Sequence, residues 1–139
     1  ITDKLAVVDE PLYIYFMNPQ SVTRKYLVDY PEVFRHSLDV KRKIVCKYEI
    51  DGIEGWEEHT CWAGMLIAVA NELAPGNPAG FFQKRKNIIA LSKDPIFAAA
   101  IKKLKPSGVE GNKKIVVNLI RAGQFTLLSL LYAFKNRNR

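Results

Sequence analysis

An uncharged run of ten residues, 61–70, constrains the fold of this 139-residue chain more than any other stretch. A helix that crosses a bilayer needs about 20 apolar residues, so this run is too short to span a membrane. Its length suits a helix that is buried on most sides. We therefore predict a central core helix that begins near Glu57 and Glu58 and ends before Pro75. One stripe of this helix is bulky and consists of Trp62, Leu66, Val69 and Leu73. A second stripe has small residues, Cys61, Gly64 and Ala68.

Several other stretches favour β-strands because they are rich in β-branched and aromatic residues. The clearest is 43–50, where apolar residues alternate with mostly polar ones and predict a sheet with one buried face. Residues 113–121 fit either a strand or one face of a helix, and the Ile115-Val116-Val117 run favours the strand. Residues 21–28 fit a second strand or a short helix. The remaining predicted strands are 12–17 and 87–91.

Three helical segments are predicted besides the core helix. Proline at the start of 31–35 indicates a brief helical turn. Asp94 is a good N-cap with Pro95 at the next position, which predicts a helix over 94–104. Residues 124–134 carry apolar residues at helical spacing after the break at Gly123. We expect a single α+β domain over 1–139, with a mixed or antiparallel sheet packed against the central buried helix and two further helices.

The cysteine and histidine content argues against several kinds of site. Two cysteines, Cys46 and Cys61, are too few for a disulfide framework and indicate reduced thiols in a reducing compartment, the cytoplasm or nucleus. With His36 and His59 they lack the usual zinc-ligand spacing, so no metal is expected. The chain has neither a G-x-G-x-x-G nor a Walker motif, so no cofactor is expected. The first residue, Ile1, indicates a processed or trimmed chain.

The segment Cys61-Trp62-Ala63 resembles the nucleophile site of papain-like cysteine proteases. The resemblance implies a thiolate nucleophile whose pKa is lowered by the start of a helix. The family's glycine-rich approach to the cysteine is absent, and both histidines precede Cys61, whereas the family's base lies well downstream. We therefore expect Cys61 to be a core residue of a non-enzymatic protein, with a cysteine-dependent enzyme as a third hypothesis.

The charge distribution gives the strongest indication of function. Residues 1–75 hold 8 Lys or Arg against 12 Asp or Glu, a balance of −4, whereas residues 76–139 hold 13 against 2, a balance of +11. A difference of this size within one domain predicts a basic face that attracts a polyanion. The change of sign coincides with the loop-like stretch 75–80, which contains two prolines and two glycines.

Basic clusters near aromatic residues define the candidate binding site. Cations neutralise phosphates, and aromatic rings stack on unpaired bases. The first hypothesis is therefore a non-enzymatic module that binds RNA or single-stranded nucleic acid. The second is a structural protein of viral matrix type that self-associates as a homo-oligomer and binds acidic membrane surfaces. The candidate residues are Phe81, Phe82, Lys84, Arg85, Lys86, Lys102, Lys103, Lys105, Lys113 and Lys114.

Overall fold

Six α-helices account for most of the residues that the structure describes. The structure is a computed structural model that describes residues 25–103 and 111–137. In chain order the helices are α1 (Tyr30–Lys47), α2 (Trp56–Glu72), α3 (Phe81–Lys93), α4 (Pro95–Lys103), α5 (Gly111–Arg121) and α6 (Phe125–Arg137). No strand occurs within these residues, so the prediction of an α+β fold with a sheet is wrong.

Helix α2 is the centre of the core, as predicted from the uncharged run. It contacts α1, α3 and α4. The bulky stripe residues Trp62, Val69 and Leu73 are buried, and Leu66 packs against the core. The small-residue stripe of Cys61, Gly64 and Ala68 is also buried. A Cβ atom on Gly64 would lie closer than 3 Å to the ring of Phe34, so this glycine lets α1 approach α2.

Residues 43–50 were predicted as the clearest strand, and this prediction is wrong. Helix α1 runs to Lys47, and the alternating residues that should form a buried face are largely exposed, with Ile44 at 45% and Tyr48 at 48%. Helical spacing from Phe34 to the buried Leu38 anchors α1, because Phe34 stacks on Phe97 of α4 with ring centroids 5.3 Å apart. The predicted turn at 31–35 is therefore the first part of an 18-residue helix.

The strands predicted over 87–91 and 113–121 are also helical. In α3, Ile88 is buried and Leu91 packs on the core at i, i+3 spacing. In α5, Val117 and Ile120 are buried three residues apart, which is the helical alternative for this segment. Tertiary packing therefore overrides the modest strand preference of β-branched residues. Residues 25–28 form neither a strand nor a helix, whereas 12–17 and 21–24 lie outside the described residues.

The start of α4 and the end of α5 lie at the residues that the sequence predicts for them. Asp94 Oδ1 accepts a hydrogen bond from the Ile96 backbone N–H at 3.1 Å, which caps α4. Gly123 adopts a φ of 66° between α5 and α6. The N–H groups of Gly123 and Gln124 donate to the carbonyls of Ile120 and Leu119, a Schellman motif that ends α5.

Candidate nucleic-acid interface

The first basic segment, 81–86, lies on the N-terminal half of α3, and the residues 87–91 that were predicted as a strand continue the same helix. Gly80 is the N-cap residue, and the first turn of α3 contains no acidic residue. The rings of Phe81 and Phe82 meet edge to face with centroids 5.6 Å apart. Phe81 is half-buried, but Phe82 is 80% exposed and is available to an external ligand.

The three cations that follow are all candidate binding residues, but their environments differ. Lys84 is half-buried, and its Nζ donates to the Ala74 carbonyl at 3.1 Å. Arg85 is half-buried, and its Nε is enclosed without a hydrogen-bond partner among the described residues. Lys86 is exposed. Lys86 is therefore the solvent-exposed cation of this segment, whereas Lys84 holds the start of α3 against the end of α2.

The other predicted cations lie at the end of α4 and the beginning of α5. Lys102 and Lys103 are exposed, but Lys103 Nζ donates to Glu58 Oε1 at 2.8 Å. Lys113 and Lys114 are exposed on the first turn of α5. Lys105 lies outside the described residues.

Helix packing brings the basic half of the chain together. Helix α6 contacts both α3 and α5, so these three helices lie side by side. Together they contain nine Lys or Arg and no Asp or Glu. We call these three helices the basic sector. These adjacent helices therefore concentrate positive charge in one part of the molecule.

Ion pairs concentrate elsewhere in the described part of the chain. The cations that pair with carboxylates within 4 Å are Arg35, Arg42 and Lys103. Arg35 pairs with Asp94, the one carboxylate after residue 75 among the described residues. The positive charge of the basic sector is therefore not neutralised by carboxylates in residues 25–103 and 111–137.

A groove between α2, α5 and α6 belongs to the same surface and was missed by the sequence analysis. Its volume is about 440 Å³, and its lining includes Ile67, Val116, Tyr132, Lys113 and Lys135. Burial raises the pKa of Tyr132, so the phenol stays neutral near pH 7. One sequence signal could have indicated this groove. Residues 59–71 contain no Asp, Glu, Lys or Arg. A helix with one buried face normally carries charged residues on its other face, so this charge-free run indicates a second apolar face.

Cys61 lies in the core and has the environment of a structural thiol. It is 4% exposed, and burial raises its pKa, with a smaller contribution from nearby Glu57. A catalytic cysteine needs a lowered pKa and an accessible sulfur. His59 and His36 are both exposed. Among the described residues no group of three or more His, Cys, Asp or Glu is arranged to hold a metal ion.

None of the helices within 25–103 and 111–137 is both long enough and apolar enough to cross a bilayer. Comparisons of this chain with protein-family models, curated proteins and solved structures gave no match.

Proposed function

We propose that this protein binds RNA or another single-stranded nucleic acid through the basic sector. The observation that supports the proposal is the adjacency of α3, α6 and α5, which hold nine cations and no carboxylate. Each phosphate that a cation neutralises releases condensed counterions, which supplies affinity without sequence preference. Phe82 is exposed beside these cations and can stack on a base.

Charge reversal in a salt series tests this proposal. Lys86→Glu and Lys114→Glu change exposed cations of the basic sector, and Lys43→Glu changes an exposed cation of α1 as a matched control. Binding to a fluorescent single-stranded oligonucleotide should weaken for the first two variants and stay unchanged for the control. The slope of log affinity against log salt should lose roughly 0.7 for each phosphate contact removed. Equal behaviour of all three variants, or a slope near zero for the wild type, would contradict the proposal.

A second candidate is binding to an acidic membrane surface with self-association. It is favoured by exposed apolar residues on α3 and α6, with Phe82 at 80% and Phe134 at 70% exposure, close in sequence to lysines and arginines. Aromatic residues flanked by cations suit the headgroup region of an anionic bilayer. Sedimentation with phosphatidylserine liposomes at the same ionic strength separates the candidates. Binding to liposomes without binding to oligonucleotides would favour the membrane.

A further inference from the structure

The outer face of α2 is unusual for an exposed helix surface. Ala63, Ile67 and Ala70 follow one another at i, i+4 and i+7 and are all solvent-exposed, with Ile67 at 55%. Exposed helix faces are normally polar or charged. The two alanines flank Ile67 along the helix and line the same groove. This face of α2 forms one wall of the groove described above.

The opposite side of the groove combines an aromatic ring with two cations. Val116 of α5 and Tyr132 of α6 line it, and Lys113 and Lys135 bring one ammonium group from each of these helices. Lys135 Nζ lies 5.8 Å from the centre of the Tyr132 ring. No carboxylate is among the described residues that line the groove. The groove is therefore apolar within and positively charged at two separate points.

This combination matches one chemical class of occupant. A nucleobase has flat apolar faces that stack on aromatic and aliphatic side chains, and its phosphodiester chain carries negative charge on both sides. Lys113 and Lys135 stand on different helices, so each can contact a separate phosphate of the same nucleic-acid strand. The groove also lies between α5 and α6, two helices of the basic sector. A nucleic acid bound along the basic sector therefore passes the groove.

We propose that the groove between α2, α5 and α6 receives one unpaired base of a single-stranded nucleic acid, with the flanking phosphates on Lys113 and Lys135. This inference rests on the proposed function and adds a base-contacting site to it. It separates two contributions to affinity: counterion release along the basic sector, and base stacking in the groove.

Filling the groove tests the inference. Ala70→Trp places a large side chain at the lining of the groove, and Ala122→Trp adds the same side chain at an exposed position in the α5–α6 turn, outside the groove lining. The probes are a fluorescent oligouridylate and an abasic ribose-phosphate oligomer of equal length. Ala70→Trp should weaken binding of the oligouridylate by about 5-fold or more, the loss expected for one stacked base. It should leave binding of the abasic oligomer unchanged, and Ala122→Trp should match the wild type with both probes.

A second variant pair guards against a folding defect in Ala70→Trp. Ile67→Glu introduces a negative charge into the groove, and Val33→Glu makes the matching change on α1 at nearly the same exposure, 57% against 55%. Circular dichroism and thermal melts establish that each variant folds. Ile67→Glu should weaken oligouridylate binding by at least 5-fold, whereas Val33→Glu should not change it.

The other outcomes distinguish failure of the groove from failure of the function. Salt-dependent oligouridylate binding that is equal in Ala70→Trp, Ile67→Glu and their controls would overturn the base site but leave the proposed function standing. Absence of salt-dependent binding in the wild type would overturn both. Loss of phosphatidylserine-vesicle binding in Ala70→Trp, with unchanged oligonucleotide binding, would assign the groove to lipid and overturn the inference.

Discussion

At the scale of single residues, the contact between Gly64 and Phe34 shows how a missing side chain positions a helix. The Phe34 ring occupies the space where a Cβ atom on residue 64 would lie. It is held there by stacking on Phe97 and on Tyr30. The Tyr30 hydroxyl also donates to the Gly64 carbonyl at 3.2 Å. Helices α1, α2 and α4 therefore meet at a point with little room for adjustment.

Gly64→Ala should destabilise the protein even though alanine favours a helix by about 1 kcal/mol over glycine. Overpacking in a filled core typically costs about 1–3 kcal/mol, which outweighs that gain here. Urea unfolding should show a lower midpoint for Gly64→Ala than for the wild type. Phe34→Leu should reduce the penalty when the two changes are combined, because the smaller side chain frees the space. A stabilising effect of Gly64→Ala alone would show that Phe34 moves aside at little cost.

The two cysteines should react with thiol reagents at very different rates. Cys46 is exposed and Cys61 is buried with a raised pKa, so a native sample should label one thiol quickly and the other only after denaturation. Cys46→Ser should abolish the rapid phase, and Cys61→Ser should leave it intact while lowering stability. Rapid labelling of Cys61 in the native protein would revive the hypothesis of a reactive nucleophile.

At the scale of helices, ion pairs fix the beginning of α2 against its neighbours. Glu57 accepts from Arg42 Nε of α1 at 3.1 Å, and this hydrogen bond lowers the pKa of Glu57. Glu58 accepts from Lys103 of α4, and that hydrogen bond lowers the pKa of Glu58. The pairs are solvent-exposed, so each contributes little to the free energy of unfolding.

These pairs predict a small, signed dependence of stability on pH. A carboxylate with a pKa lowered by folding stabilises the native state above its unfolded pKa, about 4.3 for Glu. This stabilisation is lost as the pH falls through the folded pKa. Urea midpoints of wild type and of the double variant Glu57→Gln, Glu58→Gln should therefore differ at pH 7 and converge as the pH falls below the folded pKa values of the two carboxyls. Glu54→Gln removes an exposed carboxylate without an ion pair to the described residues and serves as the control for the loss of a negative charge.

Element prediction succeeded where one physical signal was strong and failed where two periodicities overlapped. The core helix predicted between Glu57 and Pro75 and the helices predicted at 94–104 and 124–134 are confirmed by α2, α4 and α6 over their described residues. The signals were an uncharged run for α2, an N-cap for α4 and apolar residues at helical spacing for α6. Residues 43–50 alternate in polarity, but the anchor of α1 lies upstream at Phe34 and Leu38, outside that window. In 113–121 the β-branched residues suggested a strand, although Val117 and Ile120 already had helical spacing.

At the scale of the whole molecule, sequence alone located the charge but not its arrangement. The count after residue 75 indicated a basic half, and that count needs no three-dimensional information. The adjacency of α3, α6 and α5 depends on contacts between residues distant in the chain. For the same reason, the pairing of Lys103 with Glu58 and the meeting of Lys113 with Lys135 at one groove could not be read from either segment alone.

The loop between α2 and α3 determines where the cations of α3 lie relative to α2. Glu72 is buried, and its Oε1 accepts from Asn77 and Asn87, each at 2.9 Å. Asn77 Oδ1 in turn accepts from the Ala79 backbone N–H at 3.0 Å. Despite its prolines and glycines, this loop is therefore held in place by a buried hydrogen-bond network and is not a hinge. These hydrogen bonds keep the start of α3 at a set distance from the end of α2, so the cations of α3 have a fixed spacing from α2.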